Sequence, residues 1–448
     1  MIHRLPLCFA ILAPIVSAAA DPPNVLVILA DDLGYADVGF NGCKDIRTPN
    51  IDRLAGRSII CTDGHVAASV CAPSRAGLLT GRYQNRFGFE FNGGRMEPDV
   101  MTSADQFRAA GFSTLGVGKW HLGPKPEDVG FDHFTGLMGG SRSYKPSAKT
   151  NREQRILRDG KDVEMEGWSY LTDFMTEEGM RMVRGRDATK PFFLYMSYTT
   201  PHTPLDTRPD LEKEYESIEP KGRRKYAAMV ASLDEEVGEW LDFLDEEDLT
   251  NNTLVFFLSD NGGATINWSD NGFLRGMKGS YWEGGQRVPF LISWPGTLKP
   301  GWYNKPVISL DITPTTLALA GAEAKDCDGV NLVPFLNGSR TGRPHECLFW
   351  RMDPTRVVRE GDMIVIKVLE DDGGTHKVLM FDLKNDPGQQ MNLADRMPQE
   401  RDRLLGLLAE WEKDLAEPNS KMEKVYRDNH RKKHSMDVIG RDAERKLP

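Results

Sequence analysis

The segment Asn24-Val25-Leu26-Val27-Ile28-Leu29-Ala30-Asp31-Asp32 decides how the rest of the chain is interpreted. An unbroken apolar run follows Asn24 and ends abruptly at two aspartates. Apolar residues without alternation are typical of a strand that is buried on both faces, as in a parallel sheet. Three further apolar runs end in the same way, in polar or glycine-containing loops: residues 113–117, 192–197 and 253–258.

Helix-like stretches separate these runs, for example residues 51–56 and 226–244. Strands that alternate with helices predict an α/β fold with a mostly parallel sheet. In such sheets ligands bind outside the carboxyl ends of the strands, and the polar clusters follow all four strands at that end. We therefore expect these clusters to converge on one site.

The pattern changes after about residue 344. Residues 362–369 and 376–381 alternate, and the turn-like Asp371-Asp372-Gly373-Gly374 lies between them, which predicts a small antiparallel unit. A polar helix is predicted over residues 398–415, and a charged tail contains His430-Arg431-Lys432-Lys433-His434. We interpret this basic run as a solvated or frayed tail, with a binding patch as the alternative.

Composition and charge restrict the class of function. The 448 residues carry a net charge of −10, which argues against nucleic acid or an anionic membrane surface as the main partner. No internal repeat or long single-residue tract is present. Any anionic substrate must therefore be attracted by local positive charge.

The first twenty residues have the pattern of a signal peptide. A short basic start leads into an apolar run and then into small residues, and the run is shorter than a bilayer span requires. Export to the periplasm or the extracellular space would remove Cys8 and leave Cys43, Cys61, Cys71, Cys327 and Cys347. An odd number of cysteines in an oxidising compartment predicts one unpaired thiol, which we assign to Cys71; the other four can be paired or reduced.

Four side chains that carry oxygen ligands follow two of the predicted strands: Asp31, Asp32, Asp260 and Asn261. Either pair alone could be ordinary turn or helix-cap residues. Two such pairs at strand ends favour a metal site, because packed carboxylates repel one another and raise their own pKa values. Hard oxygen donors suit calcium or magnesium rather than zinc.

The most informative segment is Cys71-Ala72-Pro73-Ser74-Arg75, which continues as Ala76-Gly77-Leu78-Leu79-Thr80-Gly81-Arg82. It resembles the signature of the sulfatase family; the alternative is a buried structural cysteine before a helix. In that family a separate maturation enzyme oxidises the cysteine to formylglycine. The resemblance therefore implies that Cys71 is converted and that this formylglycine-generating enzyme is a partner.

The resemblance extends over nearly the whole mature chain. It begins at residues 24–34 and ends at Phe381-Asp382-Leu383-Lys384-Asn385-Asp386-Pro387. Between these ends, similar segments occur in the same order: Gly118-Lys119-Trp120-His121-Leu122-Gly123, Pro201-His202-Thr203-Pro204, Ser259-Asp260-Asn261-Gly262-Gly263, Arg275-Gly276-Met277-Lys278-Gly279 and Glu283-Gly284-Gly285-Gln286-Arg287-Val288-Pro289. Ordered agreement at so many separate places is highly specific.

The family's fold is an alkaline-phosphatase-like α/β sandwich, with a large mostly parallel sheet and a small antiparallel sheet. For this chain the resemblance implies a catalytic domain over residues 21–344, after the signal peptide of residues 1–20. A smaller C-terminal domain with the charged tail would occupy residues 345–448 and close one side of the pocket.

Residue by residue, the resemblance implies calcium ligands at Asp31, Asp32, Asp260, Asn261 and the modified Cys71. Arg75 would orient the formylglycine. The remaining cationic side chains would contact the sulfate or transfer protons: Lys119, His121, His202 and Lys278. Taken singly, each of these could be an ordinary structural or surface residue. Fixed positive charge and a metal suit this reaction, since the departing alkoxide gains negative charge.

The implied mechanism has two halves. A hydroxyl of the formylglycine hydrate, deprotonated with help from Asp260, attacks sulfur while His202 or Lys278 protonates the leaving alcohol. His121 then removes the proton of the second hydroxyl, the aldehyde reforms, and sulfate leaves. An unmodified cysteine lacks that second hydroxyl and should turn over poorly.

One substrate contact does not carry over cleanly. Sulfatases usually have another polar contact between the lysine-histidine segment and the later histidine. The candidates here follow Gly139-Gly140 and are Ser141, Arg142, Ser143 and Tyr144. An ordinary glycine-rich loop is the alternative.

The expected substrate is a sulfated carbohydrate, such as a glycosaminoglycan or an algal polysaccharide. The support from the residues is Trp120, Trp268, Tyr281 and Trp282 near the predicted site, although aromatics at such places are as often core residues. Two alternatives remain open. One is a phosphomonoester or phosphonate monoester hydrolase of the same superfamily, and the other is an inactive carbohydrate-binding relative in which Cys71 stays unconverted.

Overall fold

The computed structural model describes residues 22–146, 151–163, 167–420 and 422–435, without the side chains of residues 152 and 435. The predicted signal peptide lies outside these residues. The strands are β1 (Asn24–Ala30), β2 (Ile59–Cys61), β3 (Gly64–His65), β4 (Ser113–Lys119), β5 (His133–Leu137), β6 (Ile156–Arg158), β7 (Lys161–Asp162), β8 (Phe192–Ser197), β9 (Thr253–Ser259), β10 (Phe290–Ser293), β11 (Gly301–Tyr303), β12 (Val307–Ile308), β13 (Cys347–Met352), β14 (Thr355–Glu360), β15 (Met363–Leu369) and β16 (Thr375–Asp382).

The helices are α1 (Pro49–Gly56), α2 (Cys71–Thr80), α3 (Ser103–Ala109), α4 (Leu171–Gly185), α5 (Pro209–Glu214), α6 (Lys221–Glu246), α7 (Glu283–Gln286), α8 (Ile312–Leu319), α9 (Val333–Leu336), α10 (Pro398–Glu412) and α11 (Lys424–Ser435). Among the described residues, none of these helices combines the length and the apolarity that crossing a bilayer requires.

A ten-stranded sheet forms the centre of the molecule, in the order β11-β2-β10-β9-β1-β8-β4-β5-β6-β7. The five strands from β9 to β5 are mutually parallel. All four strands predicted from apolar runs lie in this parallel part, side by side. The predicted α/β fold with a mostly parallel sheet is therefore confirmed, and the polar clusters meet at one edge.

Helices cover both faces of the sheet, which explains why β1 has no polar face. Leu26, Ile28 and Ala30 belong to a core that also contains residues of α1, α4 and α6. Val25, Val27 and Leu29 belong to a second core on the other face, with residues of α2, α3 and α8. Seven consecutive buried residues in β1 follow from this arrangement.

A separate four-stranded antiparallel sheet follows, in the order β13-β14-β15-β16. Its apolar face packs against α10 through Leu404, Leu408 and Trp411. The small antiparallel unit predicted from alternation is therefore confirmed. Its assignment as a domain of residues 345–448 stays a prediction.

Buried charges join the C-terminal sheet to the preceding part of the chain. Arg359 of β14 donates to both carboxylate oxygens of Asp63, at 2.9 and 2.6 Å. Arg287 lies 3.5 Å from Glu283, and the buried ring of His65 lies between the two acidic residues, 3.4 Å from Glu283 and 3.8 Å from Asp63. Two arginines thus balance two carboxylates at this junction.

We expect Arg359→Met to lower the free energy of unfolding by about 3–5 kcal/mol, because it leaves the Asp63 carboxylate buried without its main partner. Arg356→Met, on the same strand, is the matched control. Arg356 pairs with Glu412 at 2.8 Å near the surface, and its loss should cost about 1 kcal/mol or less. Urea denaturation of both variants measures the difference, and equal losses would contradict the junction described here.

The described cysteines, Cys43, Cys61, Cys71, Cys327 and Cys347, are all free thiols. The four that the sequence left open as paired or reduced are therefore unpaired in this structure. Cys61 and Cys71 are buried, whereas the other three are partly exposed.

The basic run at residues 430–434 forms the last turns of α11 and packs onto the molecule. His430 and His434 are buried. The Nε2 atom of His434 accepts a hydrogen bond from the backbone N–H of Tyr281 at 2.9 Å. The interpretation of this run as a solvated or frayed tail is wrong for the described residues, because burial of its histidines does not follow from a charge pattern.

Candidate active site

The pairing of β1 with β9 brings the four oxygen-bearing side chains together. Ala30 pairs with Ser259, so the next residues of both strands are adjacent. The backbone N–H of Asp32 donates to Asp260 Oδ1 at 3.2 Å. Asn261 Nδ2 donates to Asp32 Oδ1 at 2.7 Å. Asp31 and its three neighbours in this cluster are all buried.

Helix α2 presents Cys71 to these carboxylates. Cys71 is the first residue of the helix and is 2% exposed. Val70 at the N-cap makes no side-chain cap; instead, Asn92 Oδ1 accepts a hydrogen bond from the backbone N–H of Ala72 at 3.0 Å. One ligand atom each from Asp31, Asp32, Cys71 and His202 lies within 4.8 Å of the others. Residue 71 therefore belongs to the carboxylate cluster.

Two lysines contact the cluster from different sides; Lys119 is buried and Lys278 is partly exposed. Lys119, the last residue of β4, donates to Asp31 Oδ2 at 2.7 Å. Lys278 Nζ lies 2.6 Å from Asp32 Oδ1 and 2.9 Å from the sulfur of Cys71. Because burial of an unpaired ammonium is costly, these contacts fix both lysines in the site.

Arg75 lies one turn after Cys71 on α2 and is completely buried. Its Nε and Nη2 atoms contact Asp260 Oδ2 at 2.9 and 2.7 Å, and Nη2 lies 3.6 Å from Asp31 Oδ1. The remaining guanidinium nitrogen, Nη1, donates to Ser197 Oγ at the end of β8. Arg75 thus connects the helix of Cys71 to three neighbouring strands.

Two buried oxygen atoms of the cluster, Oδ1 of Asp31 and Oδ1 of Asn261, accept no hydrogen bond. Burial alone would raise the pKa of Asp31, but Lys119, His202 and Arg75 lower it well below its ordinary value. Burial and the adjacent Asp31 carboxylate raise the pKa of Asp260 to about 6. Unsatisfied hard oxygens among carboxylates fit a divalent cation.

His121 follows Lys119 at the end of β4 and adopts a positive φ of 61°. Burial, together with the charges of Lys119 and Arg75, lowers its pKa to about 2, so the ring is neutral. Gly140 packs directly against this ring: a Cβ at that position would lie 2.9 Å from His121 Cε1. The Nδ1 atom of His121 is buried and has no hydrogen-bond partner.

His202 approaches the cluster from the loop after β8. Its Nε2 lies 3.7 Å from Asp32 Oδ2, and Nδ1 lies 2.6 Å from the carbonyl oxygen of Thr203. A carbonyl can only accept, so Nδ1 carries a proton and Nε2 is the atom that faces the site. The side chain is only partly exposed.

In the loop after Gly140, the side chains of Arg142 and Tyr144 contact other segments of the protein. Arg142 Nη1 donates to the carbonyl of Gln154 at 2.9 Å, and its guanidinium lies 5.5 Å from the ring centre of Trp168. The buried Tyr144 hydroxyl contacts the backbone carbonyls of Thr199 and His202. The two contacts of Tyr144 support the loop of His202. Substrate contacts by Ser141, Arg142 or Tyr144 stay a prediction.

Three of the four aromatic residues expected near the substrate are core residues. Trp120, Tyr281 and Trp282 are at most 1% exposed, and only Trp268 is partly exposed. Trp120 packs edge-on against Phe131 and donates to the carbonyl of Pro124. They therefore give no sugar-stacking surface.

The sequence analysis missed several polar residues that support the site. Ser197 bridges Arg75 and the carbonyl of Lys119, and Asn92 holds the start of α2. Asn267 Nδ2 lies 3.3 Å from the backbone oxygen of Asp32. Ser197 ends one of the predicted strands, so its strand-end position was a usable signal. Asn92 and Asn267 lie in loops that the sequence pattern does not place.

A parallel sheet that gathers carboxylates, buried cations and a cysteine at its carboxyl edge is the arrangement of the alkaline-phosphatase-like hydrolases. Comparisons with known proteins agree with this class. The model of the Sulfatase family matches residues 23–322. Bovine (Bos taurus) arylsulfatase A is 32% identical over 84% of both chains. Human (Homo sapiens) N-acetylgalactosamine-6-sulfatase is 32% identical over 73% of this chain and 68% of its own.

Solved structures give the same result. The crystal structure of Ps i-CgsB in complex with k-i-k-neocarrahexaose superposes with a TM-score of 0.83 and 32% identity, covering 92% of this chain and 98% of that one. The phosphonate monoester hydrolase of Agrobacterium radiobacter, at 20% identity and a TM-score of 0.63, covers 87% of this chain and 96% of its own, and shares the fold. The chain belongs to the sulfatase family and is an enzyme that hydrolyses sulfate esters.

Proposed function

We propose that this sulfatase cleaves a sulfate ester of a carbohydrate, using a formylglycine made from Cys71 and a bound calcium ion. The observation that carries this proposal is the position of Cys71. Its sulfur lies 2.9 Å from Lys278 Nζ and within 4.8 Å of oxygen atoms of Asp31 and Asp32. A nucleophile made from this residue would therefore stand between the carboxylates and a fixed cation.

Calcium would be held by Asp31, Asp32, Asp260, Asn261 and the modified residue 71. When bound, it would balance the carboxylates and polarise the sulfate oxygens. A hydrated formylglycine would supply a hydroxyl nucleophile and a second hydroxyl through which sulfate is released. The two oxygen atoms that accept no hydrogen bond, on Asp31 and Asn261, support the metal assignment.

The cations of the site would bind the anionic ester. Lys119, Lys278 and Arg75 are already ordered by the carboxylates, so they need little rearrangement when sulfate enters. Their charges would stabilise the nonbridging oxygens in the ground state and the added negative charge in the transition state. Arg75 would also orient residue 71, because it lies one turn further along the same face of α2.

Proton transfer would be shared by the two histidines, Asp260 and Lys278. Asp260 would accept the proton of the attacking hydroxyl. Nε2 of His202, when the ring is the doubly protonated imidazolium, and the ammonium of Lys278 face the site, and each would have a proton to give to the leaving alcohol. His121 would accept a proton in the second half of the reaction, once the negative charge of the covalent sulfate offsets the burial and the cations that lower its pKa.

The carbohydrate assignment is supported by two relatives. The structure of Ps i-CgsB was solved with k-i-k-neocarrahexaose, and the human relative is named for a sulfated N-acetylgalactosamine. A glycosaminoglycan or an algal polysaccharide would therefore be the substrate class. We further propose that residues 1–20 direct export to the periplasm or the extracellular space, where such polymers occur.

We expect aryl sulfate to be hydrolysed with a kcat/KM at least about 100-fold higher than aryl phosphate, equivalent to about 2.7 kcal/mol in transition-state binding. One set of metal ligands is present at the site, whereas phosphatases of the two-metal type clamp the ester between two ions. Steady-state kinetics of the matched nitrophenyl esters measures the ratio. Faster phosphate hydrolysis would favour the phosphomonoester or phosphonate alternative, and a screen of defined sulfated oligosaccharides then identifies the sugar.

A further inference from the structure

The last turn of α11 contacts the loop that carries Lys278. Lys433 Nζ donates to the backbone carbonyl of Lys278 at 2.9 Å. The next residue, His434, accepts from the backbone N–H of Tyr281, and Trp282 Nε1 lies 3.4 Å from the carbonyl of Lys433. Consecutive residues of the helix therefore bind residues 278–282 of the loop.

The peptide at Lys278 is held from two other directions as well. The backbone N–H of Lys278 donates to the carbonyl of Gly263 at 3.0 Å, two residues after Asn261. The N–H of Gly279 donates to the carbonyl of Ser69 at 2.7 Å, two residues before Cys71. Three segments thus bind one peptide: the loop after Asn261, the residues before Cys71, and α11.

Gly279 makes the contact by Lys433 possible. A Cβ at position 279 would lie 2.6 Å from Lys433 Nζ, and the residue adopts a φ of +74°. The ammonium group occupies the space that a side chain would fill. Lys433 itself is partly buried. Burial and the charge of Lys278 lower the pKa of its ammonium group, whereas the charge of Asp32 raises it.

We propose that Lys433 is a positioning residue for sulfate ester hydrolysis: it holds the backbone carbonyl of Lys278 and thereby fixes Lys278 Nζ between Asp32 and residue 71. This inference rests on the proposed role of Lys278 in the reaction. Lys433 does not touch the carboxylates, so it acts through Lys278. The helix that sequence analysis interpreted as a tail becomes a support of the active site.

Lys433→Met keeps most of the side-chain volume and removes the donor. We expect kcat for an aryl sulfate to fall about 10- to 100-fold with KM changed less than about threefold, because small displacements of a catalytic group reduce the rate by such factors. Lys433→Arg retains a donor and should restore most of kcat. Lys432→Met is the matched control, since Lys432 is exposed on the same turn, and its kcat should equal that of the wild type.

A double-mutant cycle with Lys278→Met separates positioning from other roles. If Lys433 acts through Lys278, adding Lys433→Met to Lys278→Met lowers kcat no further. A full additional loss in the double variant, or a raised KM with unchanged kcat, would overturn the proposal and indicate direct substrate binding. Wild-type turnover of the same ester is measured in parallel, so failure of the proposed function is seen separately.

Hydrogen exchange gives a readout that does not depend on turnover. In Lys433→Met the amides of residues 278 and 279 should exchange faster, while those of residues 424–432 remain as protected as in the wild type. Unchanged exchange at 278 and 279 would overturn the proposal. If Lys433→Met releases the whole helix, Lys433→Arg decides: a kcat near that of the wild type supports positioning, and a kcat as low as that of Lys278→Met contradicts it.

Discussion

Cys71→Ala is expected to lower kcat for sulfate esters by at least about 10⁴-fold, as removal of a covalent nucleophile does in other hydrolases. The fold should survive. Cys71 is the first residue of α2, and alanine there loses only one small buried group, at a cost of about 1 kcal/mol. Steady-state kinetics and thermal unfolding of the same preparation measure both effects.

The matched control is Cys61→Ala, because Cys61 is equally buried but lies in β2. Its kcat should equal that of the wild type. Mass spectrometry of the peptide that contains residue 71 gives the companion result: the active enzyme should have lost sulfur and gained oxygen at this position. Full activity of Cys71→Ala, or an intact thiol in fully active enzyme, would refute the assigned nucleophile. An intact thiol in wild-type protein that shows no turnover would favour the inactive-relative alternative.

Removal of calcium is expected to produce the second large effect. Chelation should lower kcat by about 100-fold or more, because the site would lose the charge that stabilises the ester oxygens. It should also lower the melting temperature, since three carboxylates and the amide oxygen of Asn261 would remain buried without their ion. Titration of calcium back into the chelated protein, followed by differential scanning fluorimetry, measures the stabilisation independently of activity.

Two variants sharpen this experiment. Asp32→Asn should abolish the calcium-dependent rise in melting temperature. Asp234→Asn is the control, because Asp234 is also a buried aspartate but binds the backbone N–H groups of Asn50 and Ile51 at the start of α1. Its response to calcium should match that of the wild type. A melting temperature of the wild type that does not respond to calcium, or responds only to zinc, would contradict the oxygen-ligand site.

Much of the fold could be predicted from local pattern. The bounds of β1 and β8 equal the predicted runs, and β4 and β9 differ from them only at one end. Unbroken aliphatic residues need two covered faces, so each such run identifies a buried strand wherever it lies in the sheet. β15 and β16 also lie within one residue of the predicted segments 362–369 and 376–381, although burial along them does not alternate strictly.

Only some residues of the candidate site could be predicted from the sequence. Strand-end position and motif similarity selected Asp31, Asp260 and Cys71, which the structure brings together. The same reasoning could not assign Arg142 or Tyr144, because the direction of a loop side chain depends on what packs beneath it. It also could not identify Asn92, which contacts the start of α2 from 20 residues further along the chain.

The sequence by itself determined the family, the parallel α/β class and the residue types of the site, since these depend on local periodicity and on motifs in order. Tertiary structure alone decided that β1 lies between β8 and β9, that Lys278 reaches Cys71 from 207 residues away, and that α11 binds the loop of Lys278. Strand order and helix docking are set by contacts between distant segments, whose energies depend on complementary surfaces that no local pattern encodes.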